Sequence, residues 1–209
     1  MTKKRMMLFF GSFNPIHHGH IALAEYAVTH DLCDEVAMII SPQNPFKAQE
    51  TLAPEMDRYS MVEIACRNSL HSERISPSVI EFLLEKPSYT INTLRHLNEN
   101  YGHAMQFSIL MGSDLINQLP KWYCAEEIIA NFDIFVYPRA GIEMQFSTPR
   151  TTFLADAPQY DYSSTAIREA LQQGLDISAM VDAEVAKYIK EHKVWGSNNT
   201  TQTAKKIIS

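Results

Sequence analysis

Four short apolar runs, at residues 6–10, 36–40, 107–111 and 134–137, constrain what this chain can fold into more than any other feature. Each has strand length and almost no polar alternation, the pattern of a strand covered on both faces. Residues 153–155 read as a weaker strand, while 75–84 is apolar without a clear period and stays open between strand and helix. Between the runs the spacing turns helical. Residues 20–30 put Ile21, Ala24 and Val28 on one stripe. Pro54 can open a helix whose apolar face continues through Met61, Ile64 and Ala65 to about Asn68. Further helices are expected over 90–100, 125–131, 164–173 and 182–192, with Gly174 where a helix-ending glycine belongs. This alternation predicts right-handed crossovers and one α/β domain: an open, doubly wound parallel sheet of Rossmann-like type.

The chain has 209 residues, 45% of them apolar and 20% charged. One globular domain is therefore the expectation, without repeats, collagen-like periodicity or wholesale disorder. The expected boundaries are a basic extension at 1–5, a domain over 6–195, and a polar tail at 196–209 read as disordered. The net charge of −6 hides an uneven distribution. Without Lys3, Lys4, Arg5, Lys205 and Lys206, thirteen basic residues face 24 acidic ones, a charge of −11. A body so acidic is a poor partner for nucleic acid, which demands many phosphate neutralisations. A small anionic ligand needs only a few placed cations and is not excluded.

Cys33, Cys66 and Cys124 are odd in number and far apart, which argues for a reducing compartment and against a disulfide framework. The apolar run after Arg5 is too short for a signal peptide, and none reaches the ~20 residues of a membrane span. A cytoplasmic protein with no membrane partner is expected. The sequence leaves homo-oligomerisation open.

Three of the eight histidines fall within four residues, in Gly11-Ser-Phe-Asn-Pro-Ile-His-His-Gly-His20. The segment follows the first strand and opens the first helix, the place where ligands bind in a doubly wound sheet. Gly11 permits close backbone approach, Pro15 stiffens the loop, and Gly19 removes a side chain beside the imidazoles. His17 and His20 are three apart and face the same way on an opening helical turn. Free helix-start amides favour anions, and two imidazoles can add donors to phosphate oxygens. A helical zinc pair would instead be spaced i, i+4 with a glutamate between, which is missing here.

Gly-x-Phe-x-Pro-x-His-x-Gly-His resembles the signature of the nucleotidyltransferase superfamily, which transfers a nucleoside monophosphate to a phosphorylated acceptor and releases pyrophosphate. Tyr162-Ser-Ser-Thr-Ala-Ile-Arg168 looks like its second signature, in the form carried by nicotinate mononucleotide adenylyltransferases. Taken alone, Ser163, Ser164 and Thr165 would be ordinary helix-capping residues and Arg168 a surface fork for phosphate. The resemblance implies that they grip the triphosphate and that the two motifs meet over one sheet edge.

Four further stretches resemble the bacterial form of that family, extending the likeness over nearly all of 6–195. They are Asn44-Pro-Phe-Lys47, Pro87-Ser-Tyr-Thr90, Gly112-Ser-Asp114 and Leu119-Pro-Lys-Trp-Tyr123. Lys47 offers a point charge to phosphate, and an acid at a strand end such as Asp114 can accept from ribose hydroxyls. Trp122 can stack on a flat pyridine ring. By resemblance, ATP is held by Gly11, Ser12, Phe13, His17, Gly19, His20, Gly112, Asp114, Arg139 and Ser163–Thr165 with Arg168. Nicotinate mononucleotide falls to Asn14, Asn44, Lys47, Ser88, Tyr89, Thr90, Trp122 and Tyr123. His17, His20, Lys47 and Arg168 are the catalytic candidates. Two positions depart from the family: Phe46 stands where a histidine is common, and Ala140 replaces the proline of Arg-Pro-Gly.

The implied reaction joins ATP and nicotinate mononucleotide into nicotinate adenine dinucleotide and pyrophosphate. The attacking phosphate oxygen is already ionised at neutral pH, since a phosphomonoester's second pKa is ~6, so no protein base is required. Mg²⁺ is expected to arrive on the ATP phosphates without a dedicated protein site. Alternatives are a sister enzyme using nicotinamide mononucleotide or phosphopantetheine, and a non-catalytic nucleotide sensor on the same fold.

Overall fold

The structure, a computed structural model, describes residues 2–42 and 52–195. Six strands form a single parallel sheet: β1 (Lys4–Gly11), β2 (Glu35–Ile40), β3 (Ile75–Ser78), β4 (Met105–Gly112), β5 (Asp133–Tyr137) and β6 (Thr151–Phe153). Their order is β3-β2-β1-β4-β5-β6, with every neighbouring pair parallel. The chain runs outward from β1 to one edge, then returns to place β4 on its other side. The crevice over the ends of β1 and β4 is therefore the switch point of a doubly wound sheet.

Eight α-helices lie in the described residues: α1 (His18–Thr29), α2 (Glu55–Arg67), α3 (Ile80–Leu83), α4 (Thr90–Tyr101), α5 (Ser113–Ile116), α6 (Ala125–Asn131), α7 (Ser164–Gln172) and α8 (Ala183–Glu191). They divide the core in two. Met7 and Phe9 of β1, with Val36, Met38 and Ile40 of β2, face the layer of α1, α2, α7 and α8. Leu8, Ala37 and Ile39 face the layer of α4, α5 and α6. Both faces of the central strands are thus buried, which is why those runs show no polar alternation.

Three readings need correction. Residues 75–84 contain both alternatives in series, edge strand β3 and then the helical turn α3. Pro77 suits β3, whose far side has no ladder partner. The last strand is 151–153, not 153–155. It lies at the other edge with Thr152 and Phe153 exposed, while Leu154 turns into the core. An exposed edge carries no apolar run, so the pattern pointed two residues too late. The first strand begins at Lys4, inside the stretch read as an extension. Arg5 is held there by Asp31 and Asp34, at 2.6 and 2.8 Å. Gly174 follows α7 at φ +70°, where a left-handed residue closes a helix. No helix among the described residues is long and apolar enough to cross a membrane.

Candidate active site

The loop from Gly11 to Ile16 leaves β1 at the switch point and is fastened from several sides. Phe13 is wholly buried with φ +43°, an uncommon conformation for a bulky residue. Its ring lies over Gly11, where a Cβ would come within 2.9 Å of two ring carbons. The close approach that requires glycine at 11 is thus made by the chain's own aromatic ring. Asn14 Oδ1 accepts from the Ala53 amide at 2.9 Å.

His17 and His20 occupy the N-cap and third position of α1, one turn apart. Their rings stack at 3.6 Å between centroids. The His17 backbone N–H donates to His20 Nδ1 at 3.2 Å. An acceptor Nδ1 means that neutral His20 carries its proton on Nε2. Phe9 and Phe13 meet the His20 ring edge-on and fix its plane, with centroids 6.0 and 5.1 Å away. His17 is buried against Tyr162, and its Nδ1 has no hydrogen-bond partner. Burial lowers its pKa to about 4, with neighbouring Arg139 and His18 acting in the same direction. It therefore enters as a neutral ring.

The second motif closes over the first. Ser163 caps α7 by accepting from the Ala166 amide at 3.2 Å. Ser164 Oγ donates to the Pro15 carbonyl at 2.8 Å, and Arg168 Nη1 to the Asn14 carbonyl at 2.8 Å. The first-turn amides of α7 lack intrahelical acceptors, as at any helix start. On the β4 side, Gly112 leads into Asp114, which faces Arg139 beyond β5. Asp114 Oδ1 lies 3.4 Å from Arg139 Nε but makes no aligned hydrogen bond and has no other partner. Arg139 itself begins a tight turn in which the Ile142 amide donates to its carbonyl at 3.0 Å. Gly141 in that turn has φ +74°, so the glycine shapes the loop where alanine has replaced proline.

These residues line two adjoining clefts, of about 410 and 430 Å³, that share His17, His20, Asp114, Tyr137, Arg139 and Ser163. The first is floored by residues 9–14 and bounded by Ser164, Thr165 and Arg168; the second runs over Gly19 toward Tyr160 and Tyr162. Tyr137 and Tyr160 did not stand out in the sequence, whereas Tyr162 opens the second motif as quoted. Burial pushes the Tyr137 hydroxyl up to about 12, so it remains a neutral donor. Cationic forks, imidazoles and helix-start amides around a crevice of this size suit a polyphosphate.

Residues 8–170 match the family model described as Cytidylyltransferase-like. Two curated relatives carry the name "Probable nicotinate-nucleotide adenylyltransferase". The Bacteroides fragilis protein is 40% identical over 190 residues, 90% of this chain and 92% of that protein. The Flavobacterium psychrophilum protein is 38% identical over 185 residues, 87% of this chain and 94% of its own. The chain belongs to the nicotinate-nucleotide adenylyltransferase family. Among solved structures, Plasmodium falciparum nicotinic acid mononucleotide adenylyltransferase complexed with NaAD superposes with a TM-score of 0.79. It covers 92% of this chain and 97% of the other at 19% identity, a likeness of fold.

The remaining family positions are distributed unevenly. Asn44, Phe46 and Lys47 lie outside the described residues. Ser88, Tyr89 and Thr90 come together with Trp122 and Tyr123 beside the N-terminus of α4, where the Tyr89 and Tyr123 rings are 4.9 Å apart. Trp122 packs partly against the α4–α6 side of the core, and Ser88 Oγ is buried without a partner. None of these five lines either of the two clefts.

Proposed function

We propose that this member of the family transfers the adenylyl group of ATP to nicotinate mononucleotide, giving nicotinate adenine dinucleotide and pyrophosphate, a step of NAD biosynthesis. One observation carries the reading. Arg168 and Ser164 fasten the second motif to the first beside the stacked pair His17–His20. A single crevice thereby gathers donors for a triphosphate.

An acceptor phosphate oxygen attacks the α-phosphorus, and the bond from that phosphorus to the α–β bridging oxygen breaks. The dianionic acceptor needs no protein base. His20 presents Nε2–H to the α-phosphate as charge moves onto the leaving pyrophosphate. Arg168, Arg139 and the α7 amides hold the phosphates in line. Lys47 and Asn44 belong to this machinery on the strength of the motif alone. Asp114 accepts from ribose, an assignment supported by its partnerless Oδ1.

No group of three or more His, Cys, Asp or Glu among the described residues could hold a metal ion. Mg²⁺ bound through ATP oxygens would neutralise phosphate charge. Trp122 stacks on the pyridine ring, and the Tyr123 amide receives its carboxylate. All three cysteines are free thiols, in keeping with a cytoplasmic protein.

The deciding experiment measures pyrophosphate release with ATP and Mg²⁺, using nicotinate or nicotinamide mononucleotide as acceptor. The acid should be strongly preferred, with no release when either substrate is omitted. Equal rates, or a preference for the amide, would overturn the acceptor assignment.

A further inference from the structure

Arg58 lies on the buried stripe of α2 with Met61, Val62, Ala65 and Cys66, and it is wholly inaccessible to solvent. Among the described residues its guanidinium donates only to backbone carbonyls. Nε reaches Ala53 at 3.1 Å, Nη1 reaches Ser12 at 2.9 Å and Ser41 at 2.7 Å, and Nη2 reaches Pro42 at 3.1 Å. No carboxylate pairs with it among the described residues. A buried charge is costly, and a fold that needed only volume here could use an apolar side chain.

The four carbonyls come from three segments that must agree in position: the loop after β1, the loop after β2, and the entry to α2. Near Ser41, Glu81 accepts from Thr93 Oγ1 of α4 at 2.9 Å. One consequence is specific. In a planar trans peptide the C=O and N–H point in opposite directions. With the Ser12 carbonyl held by Arg58, the Phe13 N–H points away from the guanidinium, and this amide has no acceptor among the described residues. Residues Gly11–Asn14 floor the cleft that contains His17, His20 and Arg168. The left-handed conformation of Phe13 also needs a neighbour to hold it.

We propose that Arg58 is a positioning residue for the nucleotide: it locks the Ser12–Phe13 peptide so that the Phe13 amide donates to a substrate phosphate. It touches no substrate itself. The proposal rests on the reading of the cleft as the ATP site.

The test compares Arg58→Lys and Arg58→Gln with Val62→Ala, a core truncation one turn further along α2. Lysine keeps the charge but cannot fork across carbonyls of three segments. Both Arg58 variants should raise the KM for ATP by roughly ten- to a hundredfold, the worth of one charge-assisted hydrogen bond. The KM for the acceptor should stay near wild type. Val62→Ala should lower the melting temperature and leave both KM values unchanged. By NMR, ATP should move the Phe13 amide proton downfield in the wild type and not in Arg58→Lys. An Arg58→Lys protein that folds with wild-type KM for ATP would overturn the proposal. So would failure of both Arg58 variants to fold where Val62→Ala folds, because the residue would then serve the fold alone. A wild-type Phe13 amide indifferent to ATP would instead count against the ATP-site reading.

Discussion

Arg168 Nη1 donates to the backbone carbonyl of Asn14 at 2.8 Å, joining residues 154 apart in the chain. The same guanidinium reaches Thr165 Oγ1 from Nη2 at 3.3 Å. The fork thus braces the first motif as well as facing the cleft. Burial lowers its pKa, yet a guanidinium remains charged at any working pH. Arg168→Lys should therefore fold and should lose about a hundredfold in kcat, because a single ammonium cannot brace the loop and hold a phosphate together. Steady-state kinetics alongside a melting curve checks this; a lysine variant with unchanged kcat would remove Arg168 from the phosphate contacts.

His20 separates its two nitrogens by task. Nδ1 accepts from the His17 amide, leaving Nε2–H for the cleft. An asparagine side chain can still accept near the Nδ1 position but has nothing at Nε2. His20→Asn should thus melt close to wild type while kcat falls by about two to three orders of magnitude. If His20→Asn and His20→Ala were equally destabilised, the helix-start role of Nδ1 would be wrong.

His17 gives the protein a pH-dependent weakness. Its pKa is about 4 when folded and near 6.5 when unfolded. As the pH falls from 6.5 toward 4, the unfolded chain takes up a proton that the folded chain refuses, so stability drops. Above pH 6.5 both states are neutral at this residue and its contribution is constant. The full loss is on the order of 3 kcal/mol. Urea melts at pH 7 and pH 4.5 should show a larger drop for wild type than for His17→Asn; parallel drops would contradict a buried neutral ring.

Gly112 leaves room for the pairing of Asp114 with Arg139. A methyl there would strike Asp114 Oδ1 and stand 2.9 Å from Arg139 Cγ. Gly112→Ala should cost about 1–3 kcal/mol of stability, typical of overpacking, and should raise the KM for ATP. Binding of ATP to the folded variant, measured by calorimetry, decides the second half: unchanged affinity would place the Asp114–Arg139 pair outside the ATP contacts.

The sequence by itself determined the central strands, most helices and the family, because each is written locally. A strand buried on both faces needs an unbroken apolar run, and a loop that turns back under Phe13 needs glycine at 11. It placed the exposed edge β6 two residues late because no burial marks it there. Tertiary structure alone decided three things: that Arg168 and Ser164 fasten onto Asn14 and Pro15, that His17 is too buried to carry charge at neutral pH, and that Arg58 belongs to the site's support. The clue to Arg58 was present, a charge three residues before Met61 and seven before Ala65 on an apolar stripe. Its meaning was not, because the carbonyls it holds come from loops up to 46 residues away in sequence. Spacing along a chain encodes which face a side chain takes; what waits on that face depends on how distant segments return to it.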